Sequence, residues 1–140
     1  MTLSTTYTKH ILLADDDDDD CLLFKLSLEE LPISFDLTVM NNGEELMNHL
    51  NKESTRLPDV LFLDLNMPRK NGYECLSEIK STERLKQLPV IIFSTSYAPD
   101  VVKQLYTNGA HYYVRKPEDV NKYREVIYHA LHLKSKVTVI

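Results

Sequence analysis

The chain has 140 residues, 43% apolar and 26% charged, which is the make-up of one soluble globular unit and too apolar for a disordered polypeptide. Sixteen basic against 21 acidic residues leave a formal charge of −5, which argues against binding nucleic-acid phosphates, and no apolar run reaches the roughly 18 residues of a membrane span. The opening Met1-Thr2-Leu3-Ser4-Thr5-Thr6 has no signal-peptide pattern, and Cys21 and Cys75 form neither a disulfide framework nor a metal-ligand spacing, so a cytoplasmic chain with reduced thiols is expected.

Along the chain, short continuous apolar runs alternate with longer segments of helical period. Ile11-Leu12-Leu13-Ala14 is the first run. An Asp-rich helix start follows, with an apolar stripe predicted at Leu22, Leu23 and Leu26 and a stop at Pro32. Phe35 to Val39 alternates partially, as an edge strand would, and leads after Asn42-Gly43 to the stripe Leu46, Met47, Leu50. Val60-Leu61-Phe62-Leu63 is apolar on both faces, and Tyr73, Leu76 and Ile79 follow at helical spacing. Val90-Ile91-Ile92-Phe93 precedes Val101, Val102 and Leu105, which Asn108-Gly109 should terminate. Tyr112-Tyr113-Val114 is a weaker strand, and Val120, Tyr123, Ile127 and Ala130 or Leu131 form the last helix. Strict alternation of five strands with five helices predicts an α/β fold: a parallel, doubly wound sheet with helices on both faces. The reading is one domain over 1–140, with a core of about 9–132 and a tail at 134–140.

In such a sheet the ligand crevice lies outside the carboxyl ends of the strands. Immediately after the apolar runs stand Asp15 to Asp20, then Asp64-Leu65-Asn66-Met67-Pro68, then Ser94-Thr95-Ser96, then Arg115-Lys116-Pro117. Clustered carboxylates need a cation to remain ionised together, and Mg²⁺ takes oxygen ligands while sharing itself with a phosphoryl group. A hydroxyl and an ammonium are the donors that such a group requires. The pattern reads as a hard-cation site beside an anion site.

Taken in order, these motifs resemble a response-regulator receiver domain of two-component systems, of the stand-alone type. The likeness spans residues 9 to 132. Asp15-Asp16 resembles the family's acidic pair, Asp64 with Met67-Pro68 and Gly72 its phosphoacceptor and loop, Ser94 its hydroxyl position, and Lys116-Pro117 its lysine–proline pair. The resemblance implies the flavodoxin-like strand order 2-1-3-4-5. It implies that Asp64 accepts a phosphoryl group from a phosphohistidine on a histidine kinase or histidine phosphotransfer protein. It implies Mg²⁺ held by Asp16, Asp64 and the Asn66 carbonyl, with Asp15 acting partly through water, and Lys116 and Ser94 contacting the phosphoryl oxygens. It also implies a switch through Ser94 and Tyr113, read out on the face of the fourth helix, fifth strand and fifth helix, where a homodimer could form. Glu118 stands where the family often has an aromatic residue, and the resemblance implies that the positions of Asn66 and Ser96 tune phosphoryl loss.

Each residue also has a plainer reading. Asp64 could cap a loop, Lys116 could lie on the surface, and the Asp run could serve only the helix dipole. Asp17 to Asp20 are assigned to the first helical turn and a solvated acidic rim. The proline after Lys116 permits a cis bond that would turn the lysine inward. An EF-hand is excluded, because the loop glycine and distal glutamate are missing. Two rivals stay open. A haloacid-dehalogenase-type phosphatase would want a second Asp where Asn66 stands, and a receiver-like adaptor would never accept phosphate. No further module is expected after the last helix, so the expected output is a changed surface, with no nucleic acid and no membrane as partners.

Overall fold

The computed structural model describes residues 7–53, 56–95 and 98–132. The opening hexapeptide, Ser96 and the tail at 134–140 lie outside these described residues. The elements are β1 (Thr8–Ala14), α1 (Asp18–Glu29), β2 (Ser34–Met40), α2 (Gly43–Leu50), β3 (Val60–Leu63), α3 (Gly72–Ser81), β4 (Val90–Ser94), α4 (Pro99–Thr107), β5 (Tyr112–Arg115), a 3₁₀ turn (Val120–Lys122) and α5 (Tyr123–Leu131). All strand pairs are parallel, in the order β2-β1-β3-β4-β5. The expected flavodoxin-like fold is therefore the observed one.

Strand alternation divides the core in two. Leu12, Leu61, Leu63, Ile92 and Tyr113 face α2, α3 and α4, while Ile11, Leu13, Phe62, Phe93 and Tyr112 face α1 and α5. Tyr112 and Tyr113 thus point to opposite sides, as neighbours on a strand must. On the α1/α5 side, Phe24 meets Phe62 edge-on at 4.9 Å and Phe93 at 5.8 Å, and Tyr123 meets Phe93 at 5.7 Å. Edge-to-face rings add to the area they bury, so this cluster anchors both helices to the two central strands.

The aromatic cluster also sets the rotation of α1, and the expected stripe is corrected. Cys21, Phe24, Ser27 and Leu28 are buried, whereas Leu22 and Leu26 are 55% and 47% exposed. Phe24 offers the larger buried surface, and its fit between Phe62 and Phe93 outweighs the leucines. Val120, expected in the last helix, instead lies in the 3₁₀ turn and is exposed. Both cysteines are buried free thiols.

Local chemistry sets the helix ends. Asp17 caps α1 by accepting from the Asp19 and Asp20 amides, and Asn71 and Glu74 form a reciprocal capping box on α3. Asn108 ends α4, and Gly109 follows at φ 101°, a left-handed conformation that favours glycine.

Candidate active site at the carboxyl ends of the strands

The backbone ladder runs one residue past the strands and aligns the site. Asp15 donates its amide to Met40 at 3.0 Å, Asp64 to Ala14 at 3.0 Å, and Lys116 to Ser94 at 2.9 Å. Asp15, Asp64 and Lys116 therefore leave the sheet at one edge, Lys116 from the outer strand β5 and the two aspartates where β1 adjoins β3. This is the topological switch point of the fold.

Lys116 Nζ is the hub. It lies 2.7 Å from Asp15 Oδ2, 2.8 Å from Asp20 Oδ2 and 3.6 Å from Asp64 Oδ2. Its side chain is only 3% exposed, and those of Asp15 and Asp64 are 2% and 10% exposed. The Lys116–Pro117 bond is not cis, since the described residues contain no cis peptide. The lysine is turned into the crevice by its three carboxylate partners. Asp64 also accepts the Leu65 amide at 2.8 Å, the Asn66 amide and the fully buried Ser94 hydroxyl. Asp15 accepts the Asp17 amide at 3.0 Å.

Burial pushes the Asp15 carboxyl up to about 6, against the Lys116 ammonium and the Asp17 amide. Burial likewise raises Asp64, despite Lys116, Ser94 and two backbone amides. For Lys116, burial favours the neutral amine, but the hydrogen bonds it donates to Asp15 and Asp20 outweigh burial and raise the group. A single ammonium thus faces Asp15, Asp20 and Asp64, with Asp16 exposed at the mouth. The negative charge exceeds what Lys116 can balance. Asp15, Asp16 and Asp64 each offer a carboxylate oxygen within 4.8 Å of the others. That donor set fits a hard divalent cation, which binds oxygen ligands.

Asn66 is exposed beside this cluster, and its amide is engaged by Asp64. Tyr113 lies away from it, on the α4 side. It is 4% exposed, packs with Leu105, Val101 and Val102, and donates its backbone amide to the Tyr106 hydroxyl at 2.9 Å. Asp20, expected in the solvated rim, instead accepts a hydrogen bond from Lys116. The signal lay in helical phase. Asp20 precedes Phe24 by one turn, and Phe24 is fully buried, so both point inward.

Gly72 holds the loop after Asp64 against α3. A Cβ there would stand 2.3 Å from the Asp64 carbonyl oxygen and 2.8 Å from Leu65 Cα. Gly72→Ala must push the backbone that carries Asp64. A loss of about 2 kcal/mol in unfolding free energy is expected, as for other overpacked sites, and urea unfolding beside the wild type checks it.

A doubly wound sheet whose strand ends gather acidic groups, a hydroxyl and a lysine defines a class: small α/β proteins with a charged crevice whose acidic cluster fits a divalent cation. The particular family follows from comparison. The family model described as the response regulator receiver domain matches residues 11–128, and the chain belongs to that family of signalling proteins. It is 33% identical over 116 residues to the response regulator Rcp1 of Synechocystis sp. (strain ATCC 27184 / PCC 6803 / Kazusa), covering 80% of this chain and 79% of that one. It is 31% identical over 123 residues to the probable methanogenesis regulatory protein FilR2 of Methanothrix harundinacea (strain 6Ac), covering 84% and 79%. The Mn²⁺-bound form of Rcp1 superposes with a TM-score of 0.81 at 29% identity, over 94% of this chain and 99% of that one. The phosphorylated cyanobacterial phytochrome response regulator RcpA gives 0.83 at 30% identity, over 89% and 91%. No helix among the described residues is long and apolar enough to cross a membrane.

Proposed function

We propose that Asp64 is the phosphoacceptor of a response regulator charged by a phosphohistidine on a histidine kinase or histidine phosphotransfer protein. The observation that carries this reading is the Asp64 carboxylate, bounded by the Ser94 hydroxyl on one side and the Lys116 ammonium at 3.6 Å on the other. An Asp64 oxygen attacks phosphorus in line. The P–N bond breaks, its electron pair stays on the imidazole nitrogen, and that nitrogen takes up a proton. The product is an acyl phosphate on Asp64. Later attack of water on phosphorus breaks the P–O bond and restores the carboxylate.

This chemistry is positioning and charge stabilisation. Lys116 supplies a fixed positive charge to the phosphoryl oxygens, and Ser94 a hydrogen bond. Asp15, Asp16, Asp64 and the Asn66 carbonyl would hold Mg²⁺, which neutralises phosphoryl oxygens when bound. The test is intact-mass measurement after incubation with acetyl phosphate and Mg²⁺. One phosphoryl group, removable by hydroxylamine, is expected; an unlabelled chain, or turnover of small phosphate esters, would contradict the reading.

Metal binding supplies a second expected outcome. Asp16→Ala should weaken Mg²⁺ binding by at least about tenfold, because a bound carboxylate is lost from a small ligand set. Asp19→Ala should leave it within about twofold, since Asp19 is exposed and is not one of the three converging carboxylates. Isothermal titration of both variants distinguishes a defined site from a diffuse acidic patch.

The output reading is that phosphorylation alters the face of α4, β5 and α5 and, through it, partner binding or self-association. Support comes from Tyr113, which packs against the Leu105 side of α4 one strand away from Ser94. A phosphoryl group shifts such an equilibrium only by its differential contacts in the two states. Ser94→Ala and Tyr113→Ala should each reduce the phosphorylation-dependent change in dimerisation or partner affinity, measured by analytical ultracentrifugation or titration with and without beryllofluoride.

A further inference from the structure

Lys116 has one partner that the proposed chemistry does not use. Asp20 Oδ2 stands 2.8 Å from Lys116 Nζ, as close as Asp15 and much closer than Asp64 at 3.6 Å. The contact is a built one. Asp20 sits on the first turn of α1, capped by Asp17, one turn before buried Phe24. Asp20 is not among the three carboxylates whose oxygens converge for a metal.

The geometry points to Asp20 as a positioning residue that parks the Lys116 ammonium away from Asp64 and competes with an arriving phosphoryl group for it. This inference rests on Asp64 being the phosphoacceptor. In the structure described here the ammonium is closest to Asp15 and Asp20, and Asp64 is its most distant carboxylate. To serve a phosphoryl group on Asp64, Lys116 has to give up one close partner. Asp20 is the one that yields. Its side chain is 29% exposed against 2% for Asp15, so water can replace the ammonium at Asp20, whereas releasing Asp15 would strand a buried charge. Asp20 also adds a negative charge beside the approaching anion. Both effects slow charging and weaken the hold on the phosphoryl group. Asp20 is thus a brake, set by one side chain, on the availability of the lysine.

The reaction tested is transfer from acetyl phosphate. An Asp64 oxygen bonds to phosphorus, the bond from phosphorus to the acetyl oxygen breaks, and acetate leaves with the electron pair. In Asp20→Asn the charge disappears while Lys116 keeps Asp15 and Asp64, so its burial stays compensated. The rate of phosphorylation, and the affinity for beryllofluoride in Mg²⁺, should each rise by about tenfold, the size expected for one charge several ångströms away at a partly screened site. Asp20→Ala should show the same gain, so the test does not depend on one variant folding well. Asp20→Glu, which keeps charge and reach, should return to near the wild-type rate. Asp19→Asn makes the same change in net charge on the same turn, at an exposed side chain with no ion pair among the described residues, and should stay within about twofold. A gain in rate is a readout that damage to the fold cannot produce.

Equal gains in Asp19→Asn and Asp20→Asn would overturn the inference in favour of diffuse charge. Slower charging in Asp20→Asn would also overturn it, by showing that Asp20 aims Lys116 productively. Loss of Mg²⁺ binding in Asp20→Asn would overturn it by making Asp20 a metal ligand. If the wild type is labelled normally and Asp20→Asn matches it, the inference alone fails. If the wild type neither labels nor binds beryllofluoride, the phosphoacceptor reading fails and takes the inference with it.

Discussion

Asp64→Asn should abolish the single phosphoryl gain from acetyl phosphate, with at least a hundredfold loss of rate. An amide oxygen is a far weaker nucleophile than a carboxylate, and the positioned charge that surrounds Asp64 is worth several kcal/mol in such reactions. The substitution conserves shape, and the amide oxygen of Asn can still accept the Leu65 amide that now meets Asp64 Oδ1. The fold should therefore persist, which far-UV circular dichroism will show. Asp15 and Asp16 cannot take over as acceptors. Asp15 is 2.7 Å from Lys116 and 1% exposed, with its other oxygen on the Asp17 amide; Asp16 lies at the open mouth, away from the ammonium. Undiminished labelling of Asp64→Asn would remove Asp64 from the chemistry altogether.

Lys116→Met should have the largest effect on stability. The lysine ammonium is the charge that balances Asp15 and Asp64, whose side chains are 2% and 10% exposed. Removing one partner of a buried pair leaves the other charge uncompensated, which costs about 3 kcal/mol or more. The loss is expected at neutral pH and should appear as a lower urea midpoint with an unchanged slope. Asp15→Asn added to Lys116→Met should recover part of it, because the penalty belongs to the stranded carboxylate and not to the missing methylenes. A Lys116→Met chain as stable as the wild type would mean that the carboxylates carry no buried charge in its absence. A double variant that is worse than the single one would place the loss in the packing around the lysine, whose Nζ lies 5.8 Å from the Phe93 ring centre.

Much of this arrangement was legible in order of residues alone, and for a physical reason. Strands covered on both faces must be continuously apolar, so Ile11–Ala14, Val60–Leu63 and Val90–Phe93 mark themselves. In a parallel sheet the residue after each run leaves at the same edge, so Asp15, Asp64, Ser94 and Lys116 could be brought together on paper. The partial alternation of Phe35–Val39 likewise matched an edge strand, β2, whose residues are half-buried or exposed.

Other features depended on what packs against what. Six consecutive aspartates look alike in a sequence. Only the rotation of α1, fixed by Phe24 against Phe62 and Phe93, decides that Asp17 caps, Asp20 reaches Lys116 and Asp19 faces solvent. The same rotation turned Leu22 and Leu26 outward, against their apolar character, because a helix shows one face to a sheet and the larger side chain claimed it.

By itself the sequence determined the strand–helix alternation, the edge at which the chemistry gathers, and the residue types there, because periodicity and strand direction are local properties written into consecutive residues. Tertiary structure alone decided how the lysine is shared among Asp15, Asp20 and Asp64, and that burial lifts Asp15 and Asp64 while hydrogen bonds hold Lys116 charged. Those depend on distances between residues up to 101 positions apart in the chain and on the exclusion of water between them, and neither is a property of any single segment.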